Sequence, residues 1–128
     1  MTKNDITPEV RRFVLTSIPT VPHMEALMLL RATAPARWSA LEVAQRLYVT
    51  PGVAAAVLAD LDLAGMLASQ ADGSVYFYAP RSNALAGVVQ QLSSFYSSHL
   101  VEMTVLIHSR LDRKAQQFAD AFDFRKDS

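Results

Sequence analysis

Residues 39–67 read SALEVAQRLYVTPGVAAAVLADLDLAGML, and they contain the signals for two short helices joined by a tight turn. The first helix begins with a capping box. The Ser39 hydroxyl can accept from the amide three residues on, and the Glu42 carboxylate can reach back to the Ser39 amide. Tyr48 and Val49 are predicted to form the turn. The apolar face of this first helix is predicted to consist of Leu41, Val43, Ala44 and Leu47.

The second helix has equally clear signals at its two ends. Thr50 is a favourable N-cap, and Pro51 suits the first helical position because no backbone donor is needed there. Gly65 fits the position just past the helix end, where φ can be positive. Apolar residues recur between these ends at helical spacing: Val53, Val57, Leu58, Leu61 and Ala64.

A β-hairpin is predicted directly after this second helix. Residues 66–71 and 74–79 are short strand-like runs around Asp72 and Gly73, a pair that favours tight hairpin turns. Asp72, Gly73 and Ser74 would therefore form the tip of a wing. Arg37 and Trp38 are expected to form a short first strand that pairs with this hairpin.

The order of helix, turn, helix and hairpin resembles the winged helix-turn-helix regulators of bacteria, and the MarR-like group in particular. Their pattern L-x-x-L-x-x-x-G-L/M-L/V is matched by Leu58, Leu61, Gly65, Met66 and Leu67. The resemblance covers roughly residues 20–110. It implies a mainly α-helical winged helix-turn-helix with a small β-hairpin, and it implies DNA binding as the expected activity.

The 128 residues are enough for one domain with a core of its own. We expect a single winged-helix domain with four parts: N-terminal helices in 7–36, the helix-turn-helix and wing in 37–80, a long helix in 82–110 and a tail in 111–128.

The long C-terminal helix has one continuous apolar stripe, and Ser82 can cap its start. A helix of this length would extend about 40 Å, longer than a domain of this size needs for its own core. The stripe is therefore expected to be covered, either by a second copy in a homodimer or by the chain's own tail. Its residues are spaced three or four apart: Leu85, Val89, Leu92, Tyr96, Leu100, Met103 and Ile107.

The tail contains three phenylalanines, Phe118, Phe122 and Phe124, and Phe118 and Phe122 lie on one face of a predicted short helix. Two interpretations stay open. The tail docks on the protein's own body or its dimer mate, or it is offered to another protein as a helix in a groove.

Composition excludes several classes of function. The chain has no cysteine, which excludes disulfides, thiolate metal sites and cysteine nucleophiles. The three histidines lack the spacing of a metal site, and no serine sits in a nucleophile motif. We therefore expect no enzyme activity, no metal and no cofactor.

Membrane association is not expected either. No apolar run approaches the ~20 residues that span a bilayer, and the N-terminus lacks the apolar core of a signal peptide. The predicted compartment is the cytoplasm.

The resemblance implies that one side of the second helix faces the DNA groove. We call this side the recognition face, and it is poor in groups that bind DNA. Only Thr50 in its N-terminal half has a side chain that can form hydrogen bonds, and Asp60 would face phosphates with the wrong sign. Residues 38–80 contain one basic residue and four acidic ones, a net charge of −3. The recognition face consists of Thr50, Pro51, Gly52, Ala55, Ala56, Ala59 and Asp60.

These features predict a non-catalytic regulatory protein of the winged-helix type that acts mainly through protein contacts and forms a homodimer. The alternative is a transcriptional regulator that binds duplex DNA in a sequence-specific way. The charge of residues 38–80 favours the first, because Lys and Arg supply most of the non-specific affinity for DNA.

Overall fold

A computed structural model describes residues 6–70 and 72–109 of the chain. Within these residues the fold is mainly α-helical with one small antiparallel sheet of two strands, as the sequence predicts, and it has six helices. The elements in chain order are α1 (Pro8–Ser17), α2 (Val21–Ala32), α3 (Ala40–Leu47), α4 (Pro51–Leu63), β1 (Leu67–Gln70), β2 (Val75–Tyr78), α5 (Asn83–Ser98) and α6 (Leu100–Ser109).

Hydroxyl side chains begin five of the helices, because each accepts a hydrogen bond from an otherwise unpaired first-turn amide. The capping box of α3 is confirmed: Ser39 Oγ accepts from the Glu42 amide at 3.1 Å, and Glu42 Oε1 accepts from the Ser39 amide at 2.8 Å. The five N-cap residues are Thr7, Thr20, Ser39, Thr50 and Ser82.

The turn between α3 and α4 depends on a left-handed residue. Tyr48 ends α3 with φ 59° and ψ 44°, a conformation that non-glycine residues adopt infrequently. The Val49 amide then donates to the Ala44 carbonyl at 3.0 Å, which closes the turn. Only two residues therefore separate the C-cap of α3 from the first residue of α4.

A Schellman motif ends α4, because Gly65 has φ +87°. The Met66 amide donates to the Leu61 carbonyl at 3.0 Å, and the Gly65 amide donates to the Asp62 carbonyl at 2.9 Å. A Cβ added at Gly65 would lie 3.2 Å from the Arg81 side chain. The predicted position of Gly65 just past the end of α4 is confirmed, and β1 begins two residues later at Leu67.

Two glycine substitutions should have opposite effects on stability. Gly65→Ala should lower the free energy of unfolding by about 1 to 2 kcal/mol, because alanine is strained at positive φ. Gly52 lies in the first turn of α4 with open space around it. Gly52→Ala should therefore raise the free energy of unfolding by about 0.4 to 1 kcal/mol. Urea denaturation of both variants measures this. Equal effects would contradict the assigned backbone conformation at Gly65.

The β-hairpin lies where the sequence predicts it. Leu67 pairs with Tyr78 and Gln70 with Val75, so both strands are slightly shorter than predicted. Asp72 and Gly73 both have positive φ, as the Asp-Gly pair allows. The expected first strand is present as a single bridge in which Trp38 and Tyr76 exchange two backbone hydrogen bonds of 2.8 Å.

The core contains buried residues from all six described helices. By length and composition, no single described helix could cross a membrane; α1 and α2 pass that test only as a pair, and the chain bends by 112° between them. The largest fully buried side chains are Val10, Val14, Ile18, Met24, Leu27, Leu30, Leu58, Leu61, Met66, Leu92, Met103 and Ile107.

The prediction of one unbroken helix over 82–110 is wrong, since α5 ends at Ser98 and α6 begins at Leu100. His99 between them has φ −133° and ψ 44°, outside the helical region. The Ser97 and Ser98 hydroxyls bond to carbonyls three or four residues back, and the Ser98 hydroxyl also bonds to His99 Nδ1 at 2.8 Å. Serine side chains that compete for backbone groups in this way weaken and bend helices.

The predicted dimer stripe is not free for a partner, because the chain itself covers most of it. Val89, Leu92, Met103 and Ile107 are at most 1% exposed, and Leu100 alone among the seven is more than half exposed. Leu85 and Tyr96 are half-buried. Burial, with a smaller contribution from the Glu25 carboxylate, raises the pKa of the Tyr96 phenol above its usual value. Periodicity identified the buried face correctly, and the described part of the chain covers most of that face itself.

Candidate interaction surface on helix α4

Helix α4 presents the predicted recognition face to solvent. All seven of its residues are exposed, while the opposite side of the helix, with Ala54, Val57, Leu58 and Leu61, lies in the core. The helix contains no lysine or arginine, and Asp60 and Asp62 are its only charged residues. Gly52, Ala55, Ala56 and Ala59 are therefore small, uncharged and accessible together.

Leu63 extends this surface, although the predicted recognition face did not include it. Its side chain is 81% exposed at the last residue of α4. It lies four and seven residues after Ala59 and Ala56, so it falls on the same side of the helix as they do. That spacing is the signal by which the sequence could have revealed it. We call the set Gly52, Ala55, Ala56, Ala59 and Leu63 the outer face of α4.

Large apolar side chains are also exposed around the start of α4. Tyr48 in the turn is 94% exposed, Leu41 on α3 is 55% exposed and Val53 on α4 is 42% exposed. Val53 differs here from the sequence prediction, which placed it with the core residues. Of the seven large hydrophobic residues exposed in residues 6–70 and 72–109, four lie between Leu41 and Leu63. The exposed apolar side chains therefore form two groups, one on α3, α4 and the turn between them, and the other on α6 with Leu100, Val101 and Val105.

Asp60 is exposed, but its carboxylate is occupied within the chain. Asp60 Oδ2 lies 2.8 Å from Nε2 of His23, whose side chain is only 8% exposed, whereas the Asp60 side chain is 56% exposed. The other ring nitrogen, Nδ1, lies 2.6 Å from the Thr20 hydroxyl. Since a carboxylate only accepts hydrogen bonds, Nε2 carries the hydrogen and donates it to Asp60. The pair ties α4 to α2, so this acid is a structural group at the edge of the recognition face.

A hydroxyl, an imidazole and a carboxylate lie in a row here, from Thr20, His23 and Asp60 respectively. The hydroxyl has a second role, because it caps α2 and accepts from the His23 amide at 3.4 Å. His23 is 6% exposed as a whole residue, so a substrate has little access to its ring. The geometry anchors the start of α2.

Three arginines near the hairpin are held by neighbouring groups. The Arg37 guanidinium donates to Gln70 and lies 5.3 Å from the centre of the Phe77 ring. The Arg46 guanidinium lies 5.6 Å from the centre of the Trp38 ring, and Arg81 packs over Gly65. All three residues are exposed. Arg37 and Arg46 thus place positive charge beside the small sheet, while α4 itself has none.

The remaining predicted positions lie elsewhere. Asp72, Gly73 and Ser74 form the exposed hairpin tip, as predicted, and Phe118, Phe122 and Phe124 lie outside the described residues. His99 Nε2 lies 3.7 Å from Glu102 Oε1, so these two side chains lie side by side. In the part of the chain that the structure describes, no three His, Asp or Glu side chains are grouped as a metal site would need.

Neither the scan against protein-family models nor the searches of curated proteins and of solved structures finds a match to this chain. Any assignment of function therefore rests on this chain's own residues and contacts.

Proposed function

We propose that this chain is a non-catalytic regulatory protein of the winged helix-turn-helix type, and that it acts by binding another protein through the outer face of α4. The order α3, tight turn, α4 and hairpin supports the winged-helix assignment. The bridge between Trp38 and Tyr76 adds a short third strand to the hairpin, as that type of fold requires. In such a fold α4 is the recognition helix.

The observation that favours a protein partner is the chemistry of α4. Its outer face offers only glycine, alanine and leucine side chains, none of which can pair with a phosphate. Small residues let another surface approach closely, and the exposed Leu63 supplies an apolar anchor beside them. Charged groups are depleted at the centres of protein interfaces, and the outer face of α4 has no charged residue.

Duplex DNA is the second candidate, and two observations favour it. Thr50 lies exposed at the N-terminus of α4, where recognition helices contact base edges. Arg37 and Arg46 lie exposed beside the hairpin, where they could contact phosphates. Even with Arg81 counted, three cations are fewer than the roughly 6–10 phosphate contacts of a protein whose affinity falls by about 10³ to 10⁵ between ~50 and ~200 mM salt. We therefore place DNA second.

A binding measurement with random-sequence duplex DNA separates the two candidates. We expect no binding to random-sequence duplex DNA at about 50 mM salt, because α4 has no Lys or Arg that could pair with the phosphates. Tight binding that weakens steeply with added salt would overturn the proposal. Arg37→Ala with Arg46→Ala would then show whether the sheet-side arginines cause it.

Photo-crosslinking in the host cell tests for the protein partner directly. A photoreactive residue at Ala56, on the outer face, should yield an adduct with one discrete protein, and Leu63→Asp should reduce that adduct at least about tenfold. The matched control places the same group at Ala84, an exposed helical alanine on α5. The same adducts from both positions, or an adduct with nucleic acid at Ala56, would contradict the proposed role of α4.

A further inference from the structure

A groove of about 290 Å³ borders α6, and it is lined by apolar side chains from this helix and by Ile6, which precedes α1. Two of the side chains from α6 are mostly accessible, because Val101 is 75% exposed and Val105 is 61% exposed. Adjacent exposed apolar side chains commonly mark a surface that another segment or molecule covers. The groove is therefore a candidate docking surface, separate from the outer face of α4.

The groove lies where the chain leaves the described residues. Val101, Val105 and Ser109 are spaced four residues apart, so they form one row along α6. All three line the groove, and Ser109 is the last residue that the structure describes. Residues 110–128 therefore continue directly from the groove. Residues 1–5 also adjoin it, at Ile6, but Met1 is their only apolar residue.

The sequence of residues 110–128, which lie outside the described part of the chain, fits this row. Phe118 and Phe122 are spaced four apart, so they would lie on one face of a helix. The segment contains neither glycine nor proline, and a helix over 115–124 would have ten residues, as many as α6. Residues 110–114 would then form a loop of five residues, a length that joins antiparallel helices.

The short connection favours this segment over any separate molecule. A group tethered through a short linker has an effective concentration of the order of millimolar at its docking surface. A second copy of the chain, or another protein, would have to reach a similar concentration to compete at equal affinity. Phenylalanine also buries a large apolar area when it docks, so two such side chains supply the main contact.

We propose that residues 115–124 form a helix that folds back antiparallel to α6 and places Phe118 and Phe122 in the groove. A five-residue loop after Ser109 brings Phe118 near Val105 and Phe122 near Val101 in this arrangement. The two exposed valines are then covered by the chain itself. The phenylalanines belong to the fold of the protomer and are not offered to another protein.

Crosslinking tests where the segment docks. The chain has no cysteine, so Arg11→Cys with Ala119→Cys introduces the only thiols and keeps both phenylalanines. Arg11 lines the groove, so a short bismaleimide should link the two thiols within one chain. The matched control is Arg12→Cys with Ala119→Cys, because Arg12 lines a different groove, between α1 and α5. Links within one chain should form at least about tenfold faster in the first variant.

Other occupants of the groove would give different products. Equal rates of linking in the two variants, or no link in either, would overturn the proposal. A mixture of the Arg11→Cys and Ala119→Cys single variants at micromolar concentration should give no link between chains. Efficient links between chains in that mixture would show that a second copy supplies the segment, which would also overturn the proposal.

Hydrogen exchange tests whether the two phenylalanines make the contact. Phe118→Ala with Phe122→Ala should raise the exchange rates of the amides of residues 105–109 at least about tenfold, because this end of α6 loses its cover. Phe124→Ala is the matched control, since a residue two positions after Phe122 faces a different direction on a helix. Unchanged exchange in the double variant, or an equal rise in the control, would contradict the proposed docking.

Discussion

Replacing Leu92 with aspartate should prevent the chain from folding. Leu92 lies on α5 with 0% of its surface exposed, so a carboxylate there would be removed from water without a partner. The loss of the leucine packing alone would cost about 2 to 5 kcal/mol. Since small domains are stable by only about 5 to 15 kcal/mol, the sum should leave the variant largely unfolded. Circular dichroism and urea denaturation measure this.

Leu100→Asp is the matched control for that experiment. It makes the same chemical change on the same predicted stripe, but Leu100 is 53% exposed, so its carboxylate keeps contact with water. We expect the free energy of unfolding to change by about 1 kcal/mol or less. If both variants fold with wild-type midpoints, the stripe does not belong to the core as the structure has it.

Features that depend on neighbouring residues could be predicted from the sequence. The capping box at Ser39, the proline start at Pro51 and the glycine stop at Gly65 all appear where expected. Each is decided by hydrogen bonds or backbone angles within a few residues, so a short window of sequence contains the whole cause. The hairpin around Asp72 and Gly73 follows for the same reason.

Features that depend on distant residues could not be predicted in the same way. The stripe from Leu85 to Ile107 shows which side of the helix is apolar, but not whether this chain or another covers it. At His99 the chain leaves the helical conformation, and Met103 and Ile107 beyond it are buried in the chain's own core. The spacing of apolar residues predicts neither the position of the bend nor the surface that covers these two side chains.

The same difference between local and distant causes applies to the candidate interaction surface. Exposure of the recognition face follows from helical spacing, and the structure agrees for all seven residues. The hydrogen bond between Asp60 and His23 cannot be predicted from helical spacing, because His23 lies 37 residues earlier in the chain. That contact changes the interpretation of the face: the apparent free acid of α4 is part of the anchor between α2 and α4.

His23→Ala should lower the free energy of unfolding by about 2 to 4 kcal/mol. The substitution leaves a cavity where a residue only 6% exposed was packed, and it removes both hydrogen bonds of the ring. Asp60→Ala should cost about 1 to 3 kcal/mol, because it leaves the buried His23 Nε2–H without an acceptor. Urea denaturation of each variant gives these values.

The double variant shows whether the two residues act as a pair. With His23 absent, Asp60 has lost its partner, so the further change Asp60→Ala should cost little, and the two single effects should not add. Asp62→Ala is the control, since Asp62 lies on the same helix two residues on and faces a different direction. Additive effects, or an Asp60→Ala cost no larger than that of Asp62→Ala, would mean that the contact does not stabilise the fold. In that case the Asp60 carboxylate would count as a free negative charge on the recognition face, which would weaken DNA binding still further.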